Sequence, residues 1–252
     1  MQKRGGVTLK RVFADLHVCL SMNDSAATLR MISKTAKLGY RLIAAPLAPE
    51  TNKEEVVKLR KACNEAKIDF ASRIDLQPRT TNELMVQLRR LRRKFEIISV
   101  ACDNKQVARQ AAKDRRVDLL SFPFLDFRRR FFDRAEAELA SNSLAALEFD
   151  MKPLLVLHGP ARVRLLSSLR QEAAIAMKFH VPIIVSSGVA IEMLLRKPRD
   201  MAALACLFGL DENSALDAVS HIAHAIVKRN REKLGSGFVA PGIHIIREGK
   251  NR

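Results

Sequence analysis

The sequence predicts an α/β fold, a TIM-barrel-like (β/α) barrel, carried by a single domain. Three observations predict it. Strand-like apolar runs alternate with helical patterns almost throughout. About seven or eight such pairs fill 252 residues, which is the rhythm and length of that barrel. No Pro/Gly-rich linker or shift of composition divides the chain. A doubly wound open sheet produces the same alternation, and the pattern alone leaves both open. The domain is expected over 1–252, with a short basic lead over 1–11 and a C-terminal tail from about 235 to 252.

Residues 12–16 read as the first strand. Asp24 or Ser25 caps a helix whose apolar positions Leu29, Ile32 and Ala36 recur at helical spacing, and Gly39 closes it. A strand over 41–45 stops at Pro46, and Thr51 or Asn52 opens a helix over 53–67. A third strand covers 70–76, with Thr80 or Thr81 starting a helix over 82–94. A fourth covers 97–102, and Asn104 caps a helix over 105–113. A fifth strand is expected over 117–122, a helix over 133–141 and a short strand over 146–149. One long helix over 161–179 precedes a seventh strand at 181–185. Pro198 sits in the first turn of a helix over 198–207 and Gly209 lies past its end. Asp211 or Asn213 caps one further helix running through Asn230, and 243–246 reads as a last strand.

Composition narrows the function. Apolar residues make up 48% and charged residues 28%, which excludes general disorder. No apolar run reaches the roughly 18 residues of a membrane span, and no lipidation motif points to a membrane. The basic N-terminus is not followed by a signal-type apolar segment, so a cytoplasmic protein is expected. Lys and Arg number 44 against 27 Asp and Glu, a net charge of +17. Such an excess repels itself, and a polyanionic partner is the simplest way to offset it. Cys19, Cys63, Cys102 and Cys206 form no CxxC pair and read as small core residues of a reduced protein. Trp is absent and Tyr40 is the single tyrosine, which argues against an aromatic base-stacking platform.

Barrels of this type place their chemistry at the C-terminal ends of the strands. The ends to inspect are Asp15 and His17, Arg73 and Asp75, Asp103, Glu148 and Asp150, His158, and Ser186 with Ser187. Asp15-Leu16-His17 resembles the His-x-His that opens the metal site of polymerase and histidinol phosphatase (PHP) barrels, with an aspartate at the first position. No other paired-histidine motif occurs at a later strand end, and His221 with His224 lacks a third ligand. No metal site and no catalytic residue is therefore assigned. Ser186-Ser187-Gly188 lacks the G-x-S-x-G elbow and reads as a turn into the next helix, with amides available to a phosphate.

The basic clusters carry more information. Arg89, Arg90, Arg92, Arg93 and Lys94 end one helix, Arg128, Arg129 and Arg130 sit between elements, and Lys228, Arg229 and Arg231 end another. One or two cations per helix end suffice to complement the macrodipole. Five within six residues exceed that need, so these eleven residues are expected to form a phosphate-contact surface for a nucleic acid.

Phe13-Ala14-Asp15-Leu16, then Leu38-Gly39-Tyr40 before the second strand, resemble the protein component 3 family of archaeal and eukaryotic ribonuclease P. The strongest likeness runs from the seventh strand through Ser186-Ser187-Gly188, Leu195-Arg196-x-Pro198-x-Asp200 and Leu207-Phe208-Gly209-Leu210. The helix after it, over 213–230 with Ala215 and Ala218, resembles the family too, and the tail over 240–248 is similar to its archaeal branch. The arginine-rich Arg89 to Arg93 and Arg128 to Arg130 depart from the family pattern. The resemblance implies a PHP-like barrel without the metal ligands. It also implies a ribonuclease P subunit that assists a catalytic RNA in removing the 5′ leader from precursor tRNA. No cofactor is expected on the chain, Mg²⁺ being held by the RNA. Expected partners are the ribonuclease P RNA, a small RRM-like subunit in a heterotetramer with two of each, other ribonuclease P proteins and precursor tRNA. Ser186, Ser187, Arg196 and Asp200 are expected to be structural or partner-facing. The competing reading is a PHP-type metal-dependent hydrolase working at a barrel mouth around Asp15 and His17.

Overall fold

Seven parallel strands run in sequential order in the computed structural model: β1 (Phe13–Asp15), β2 (Tyr40–Pro46), β3 (Asp69–Leu76), β4 (Ile97–Ala101), β5 (Leu119–Ser121), β6 (Ala146–Asp150) and β7 (Ile183–Ser186). The structure describes residues 11–122, 132–235, 237–240 and 243–244. Between the strands lie α1 (Ser25–Leu38), α2 (Lys53–Glu65), α3 (Thr81–Leu91), α4 (Lys105–Lys113), α5 (Arg134–Ser143), α6 (Lys152–Val156) and α7 (Gly159–Lys178). After β7 come α8 (Pro198–Cys206), α9 (Glu212–Ala218) and α10 (His221–Leu234). No helix among the described residues is long and apolar enough to cross a membrane.

Local chemistry sets the helix starts. Asp24, Asn52, Thr80, Asn104, Asp133 and Asp211 each accept first-turn amides, and Asn52 and Asp133 form capping boxes with Glu55 and Glu136. Gly39 ends α1 in the left-handed region at φ 103°. The buried stripe of α1 is Thr28, Met31, Ile32 and Thr35; Leu29, expected inside, is 51% exposed. Among the cysteines, Cys63 and Cys102 are core residues, whereas Cys19 is half-buried and Cys206 exposed.

The seven strands nearly close a barrel, and no eighth strand joins their sheet among the described residues. The first and seventh strands are joined beyond their C-terminal ends, where Val18 bridges Val189 in parallel and the Gly188 amide donates to the His17 carbonyl at 2.9 Å. At the other end the Ala14 amide donates to the Val219 carbonyl at 2.9 Å. That bond explains a departure from the single helix expected through Asn230. A β1 amide at the gap needs an acceptor. Val219 supplies it by leaving the helical path, and Ser220 takes φ −145°, ψ −92° between α9 and α10. The expected last strand over 243–246 does not join the sheet: β9 (Ile243–His244) pairs antiparallel with β8 (Phe238–Ala240).

After the break, α10 lies under the barrel. Ala223, Ile226 and Val227 pack with inward-facing Ala14, Leu16, Leu42, Ala44, Ala71, Ile97, Leu119, Ala146 and Ile184, plugging the N-terminal pole. Inward positions alternate along each strand, and a seven-stranded barrel is narrow, so four of these nine residues are alanines. The larger core lies between the outer faces of the strands and the helices, as in the edge-to-face pair of Phe149 with Phe208 at 5.2 Å.

Candidate functional site

Above the apolar plug the interior turns polar, two residues further along β3 to β7, at Arg73, Ser99, Ser121, Glu148 and Ser186. The Arg73 guanidinium, 1% exposed, crosses the barrel from β3 to β6 and meets Glu148 in a two-pronged pair at 2.6 and 2.7 Å. Its Nε donates to Asp75 at 2.6 Å and it also donates to the Leu16 carbonyl at 2.7 Å. Ser186 donates to Glu148 at 2.7 Å. Burial opposes ionisation of both partners, yet their mutual attraction prevails: the Glu148 carboxyl is held below its ordinary range and the Arg73 guanidinium above its own.

His17 sits over this pair. Its Nδ1 faces Asp150 at 2.9 Å and its Nε2 faces Asp75 at 3.5 Å. Burial and the Arg73 charge disfavour the imidazolium, but Asp150 outweighs them and His17 titrates well above the usual histidine range. Gly188 is required beside this contact. Its φ is +64°, and a Cβ there would lie 2.8 Å from the Asp150 Cγ. These groups, with Asp103, line a cavity of about 280 Å³ at the C-terminal mouth.

His17, Glu148 and Asp150 bring ligand-type atoms within 4.8 Å of one another. They do not fit a metal. Both Glu148 oxygens already receive the guanidinium, which places a resident positive charge where an ion would have to bind. Asp15 is not at the mouth at all. Its carboxylate accepts the Ser187 amide at 3.0 Å and the His17 amide at 3.1 Å, fastening the end of β7 to the end of β1. Burial raises its pKa, and the hydrogen bonds only partly offset this. The competing reading of Asp15 and His17 as a metal-holding pair is therefore not favoured: the two side chains diverge where the strand ends. The expected phosphate seat at Ser186-Ser187-Gly188 is corrected. The Ser187 and Gly188 amides serve Asp15 and the His17 carbonyl, and the chain continues into a bridge and a short 3₁₀ turn at Glu192–Leu194.

The opposite, N-terminal pole collects cations. The α3 terminus and α10, remote in sequence, meet at Asp118, a buried carboxylate that accepts from both Arg92 and Arg229. Arg92 also donates to the Phe95 and Glu96 carbonyls at 2.8 Å each. Arg231 pairs with Glu96 at 2.6 Å and with Asp69 at 2.9 Å. Lys233 titrates below its ordinary range through burial and through the charges of Arg229, Arg92 and Arg115, which marks the crowding of cations. Arg89, Arg90, Arg93, Lys94 and Lys228 are exposed, and no hydrogen bond or ion pair is described for them. The eleven cations thus divide. Arg92, Arg229 and Arg231 are tied into the fold, five are free to meet an external anion, and Arg128, Arg129 and Arg130 lie outside the described residues. Arg92→Ala is expected to lower unfolding free energy by roughly 1–3 kcal/mol, as for hydrogen bonds to charged groups. Arg93→Ala should stay within about 0.5 kcal/mol. Urea denaturation of the two variants checks the division, and equal effects would refute it.

The other named residues are spread. Ser187 donates its hydroxyl to the His17 carbonyl at 3.1 Å. The Arg196 carbonyl accepts the buried Tyr40 hydroxyl at 3.1 Å, and its guanidinium donates to the Met193 and Leu195 carbonyls. Asp200 is exposed in the first turn of α8, and His158 stands before α7, outside the mouth.

Known proteins share both the sequence pattern and the barrel. The sequence model of the family described as RNase P subunit p30 matches residues 12–234. Ribonuclease P protein component 3 of Methanosarcina barkeri is 31% identical over 238 residues, covering 90% of this chain and 92% of that protein. The same component of Methanothermobacter thermautotrophicus is 24% identical, covering 94% and 96%. Among solved structures, a chain from a cryo-EM structure of archaeal ribonuclease P with mature tRNA superposes with TM-score 0.82 at 22% identity, covering 94% of this chain and all of that one. A lactonase from Listeria monocytogenes shares the barrel at TM-score 0.53 and 9% identity, covering 86% and 94%.

Proposed function

The chain belongs to the RNase P subunit p30 family, and as a protein subunit of ribonuclease P we propose that it binds and supports the catalytic RNA without supplying catalytic groups of its own. The family match over residues 12–234 carries the assignment to ribonuclease P, which removes the 5′ leader from precursor tRNA. The division of labour is supported by the barrel mouth. There the Arg73 guanidinium engages Glu148 and Asp75 while His17 faces Asp150, so these groups are held by one another and not poised around a reacting centre.

In this reading Mg²⁺ belongs to the RNA. Exposed cations at the N-terminal pole lower the repulsion between RNA strands and so replace part of the divalent screening. The small RRM-like subunit, two copies pairing with two of this chain, and the other ribonuclease P proteins complete the assembly around the RNA and precursor tRNA.

Reconstitution tests it. The purified chain should leave precursor tRNA intact at any Mg²⁺ concentration. Added to ribonuclease P RNA with the other proteins, it should permit leader removal at lower Mg²⁺ than the RNA alone requires. Cleavage by the chain without RNA, abolished by His17→Ala, would favour a metal hydrolase instead.

A further inference from the structure

A second cationic feature lies at the N-terminal pole, away from the α3 and α10 cluster. Between the end of α1, the starts of β1 and β2, and the start of α8 there is a hollow of about 530 Å³. Arg11, Arg41, Lys197 and Arg199 line it, and among the described residues no carboxylate does. All four are exposed.

Their charges are not equally available. Arg11 is paired with Asp217. Arg41 donates to the Ala36 and Tyr40 carbonyls, at 3.3 and 2.8 Å, which orients its guanidinium but leaves its charge uncompensated. Lys197 and Arg199 flank Pro198, the first residue of α8, and no carboxylate partner is described for either. The floor is apolar, formed in part by Val12, Phe13 and Leu38. A concave wall of cations over an apolar floor suits a group with dispersed negative charge and a less polar flank, such as a phosphodiester with its ribose. A carboxylate side chain from a protein would compensate the charge but leave most of the hollow unfilled.

We propose that this hollow is a phosphodiester seat for the ribonuclease P RNA, with Arg41, Lys197 and Arg199 as its ligands. The proposal rests on the reading of the chain as an RNA-binding subunit. It adds that the RNA spans the N-terminal pole, from the α3 and α10 side to the α8 side, while the carboxylate-lined mouth faces away. The fold's usual active-site face is thereby left unused.

Lys197→Ala/Arg199→Ala tests the seat, because both side chains are exposed and neither packs in the core. Binding of ribonuclease P RNA to the chain assembled with its protein partners is measured as a function of salt. The double variant should flatten the log–log slope by about 1–2 units, as expected when one or two phosphate contacts are lost. The charge-conserving Lys197→Arg/Arg199→Lys should keep the slope. An unchanged slope in the alanine variant, with a flattened one in Arg89→Ala/Arg90→Ala/Arg93→Ala, would overturn the seat and leave the RNA-binding reading standing. If neither variant moved the slope, both readings would fall. Loss of affinity for the protein partners at an unchanged RNA slope would make the hollow a protein contact and overturn the seat.

Discussion

Replacing Arg73 by alanine is expected to cost about 3–5 kcal/mol of unfolding free energy, the range for removing one member of a buried ion pair. The guanidinium is 1% exposed and Glu148 is 2% exposed, so water cannot take over the lost bonds. The stranded Glu148 carboxylate would remain in the barrel with hydroxyl donors alone. For a domain with a typical total stability of about 5–15 kcal/mol, such a loss is a large fraction of the whole. The pH dependence has a definite sign. In the parent protein Glu148 titrates below its ordinary value, so its contribution is present above the unfolded pKa and lost as pH falls through the folded one. Without Arg73, burial dominates and the folded pKa of Glu148 rises. The penalty of the variant then shrinks as pH falls, because the protonated acid is cheaper to bury. Urea denaturation at about pH 5 and pH 8 reads both effects. A second substitution, Glu148→Gln, should recover part of the loss at the higher pH, and the double-mutant cycle isolates the pair. A deficit below about 1 kcal/mol, or one that grows on acidification, would show that the bridge does not hold the barrel interior.

Arg89→Ala/Arg90→Ala/Arg93→Ala should flatten the salt dependence of ribonuclease P RNA binding by roughly 2 to 3 units of log–log slope. The choice of residues comes from the structure. Helical spacing alone groups Arg89, Arg92 and Arg93, but Arg92 turns back to Asp118 and belongs to the fold. The three exposed arginines make no described bond inside the chain, so each removal should change folding by less than about 0.5 kcal/mol. The measurement is made with the protein partners present, so that assembly and RNA contact are read separately. An unchanged slope would remove the end of α3 from the RNA interface. A slope that flattens only together with a loss of thermal stability would point instead to a structural role for these side chains.

The sequence by itself determined the elements whose stabilising contacts lie within a few residues. Asn104, and one of each candidate pair Thr51/Asn52 and Asp211/Asn213, cap helices that begin where their spacing places them, because a cap bonds to amides two or three positions away. The runs at 41–45, 70–76 and 97–102 are strands within a residue or two, since burial on both faces of a parallel sheet favours closely spaced apolar residues, broken in β3 only where Ser72, Arg73 and Asp75 enter the polar interior or pair locally. The family likeness was legible too, in Ser186-Ser187-Gly188 and the motifs after it. The excess of Lys and Arg pointed to an anionic partner, but not to which of these residues are free to meet it. Tertiary structure alone decided that. Asp118 lies 26 positions from Arg92 and 111 from Arg229, and only barrel closure brings the three together. The break between α9 and α10 carries no glycine or proline signal, because its cause is an unpaired Ala14 amide on the far side of the gap. Whether Asp15 faced the mouth also depended on closure. Side chains alternate along a strand, so the end of β1 and the position of Ser187 together turn the Asp15 carboxylate towards backbone amides. The pairing of charges inside the barrel was decided in the same way. Arg73 and Glu148 are 75 residues apart, and no local rule pairs them. They meet because parallel register and a narrow barrel place them at one height, where each buried charge needs the other.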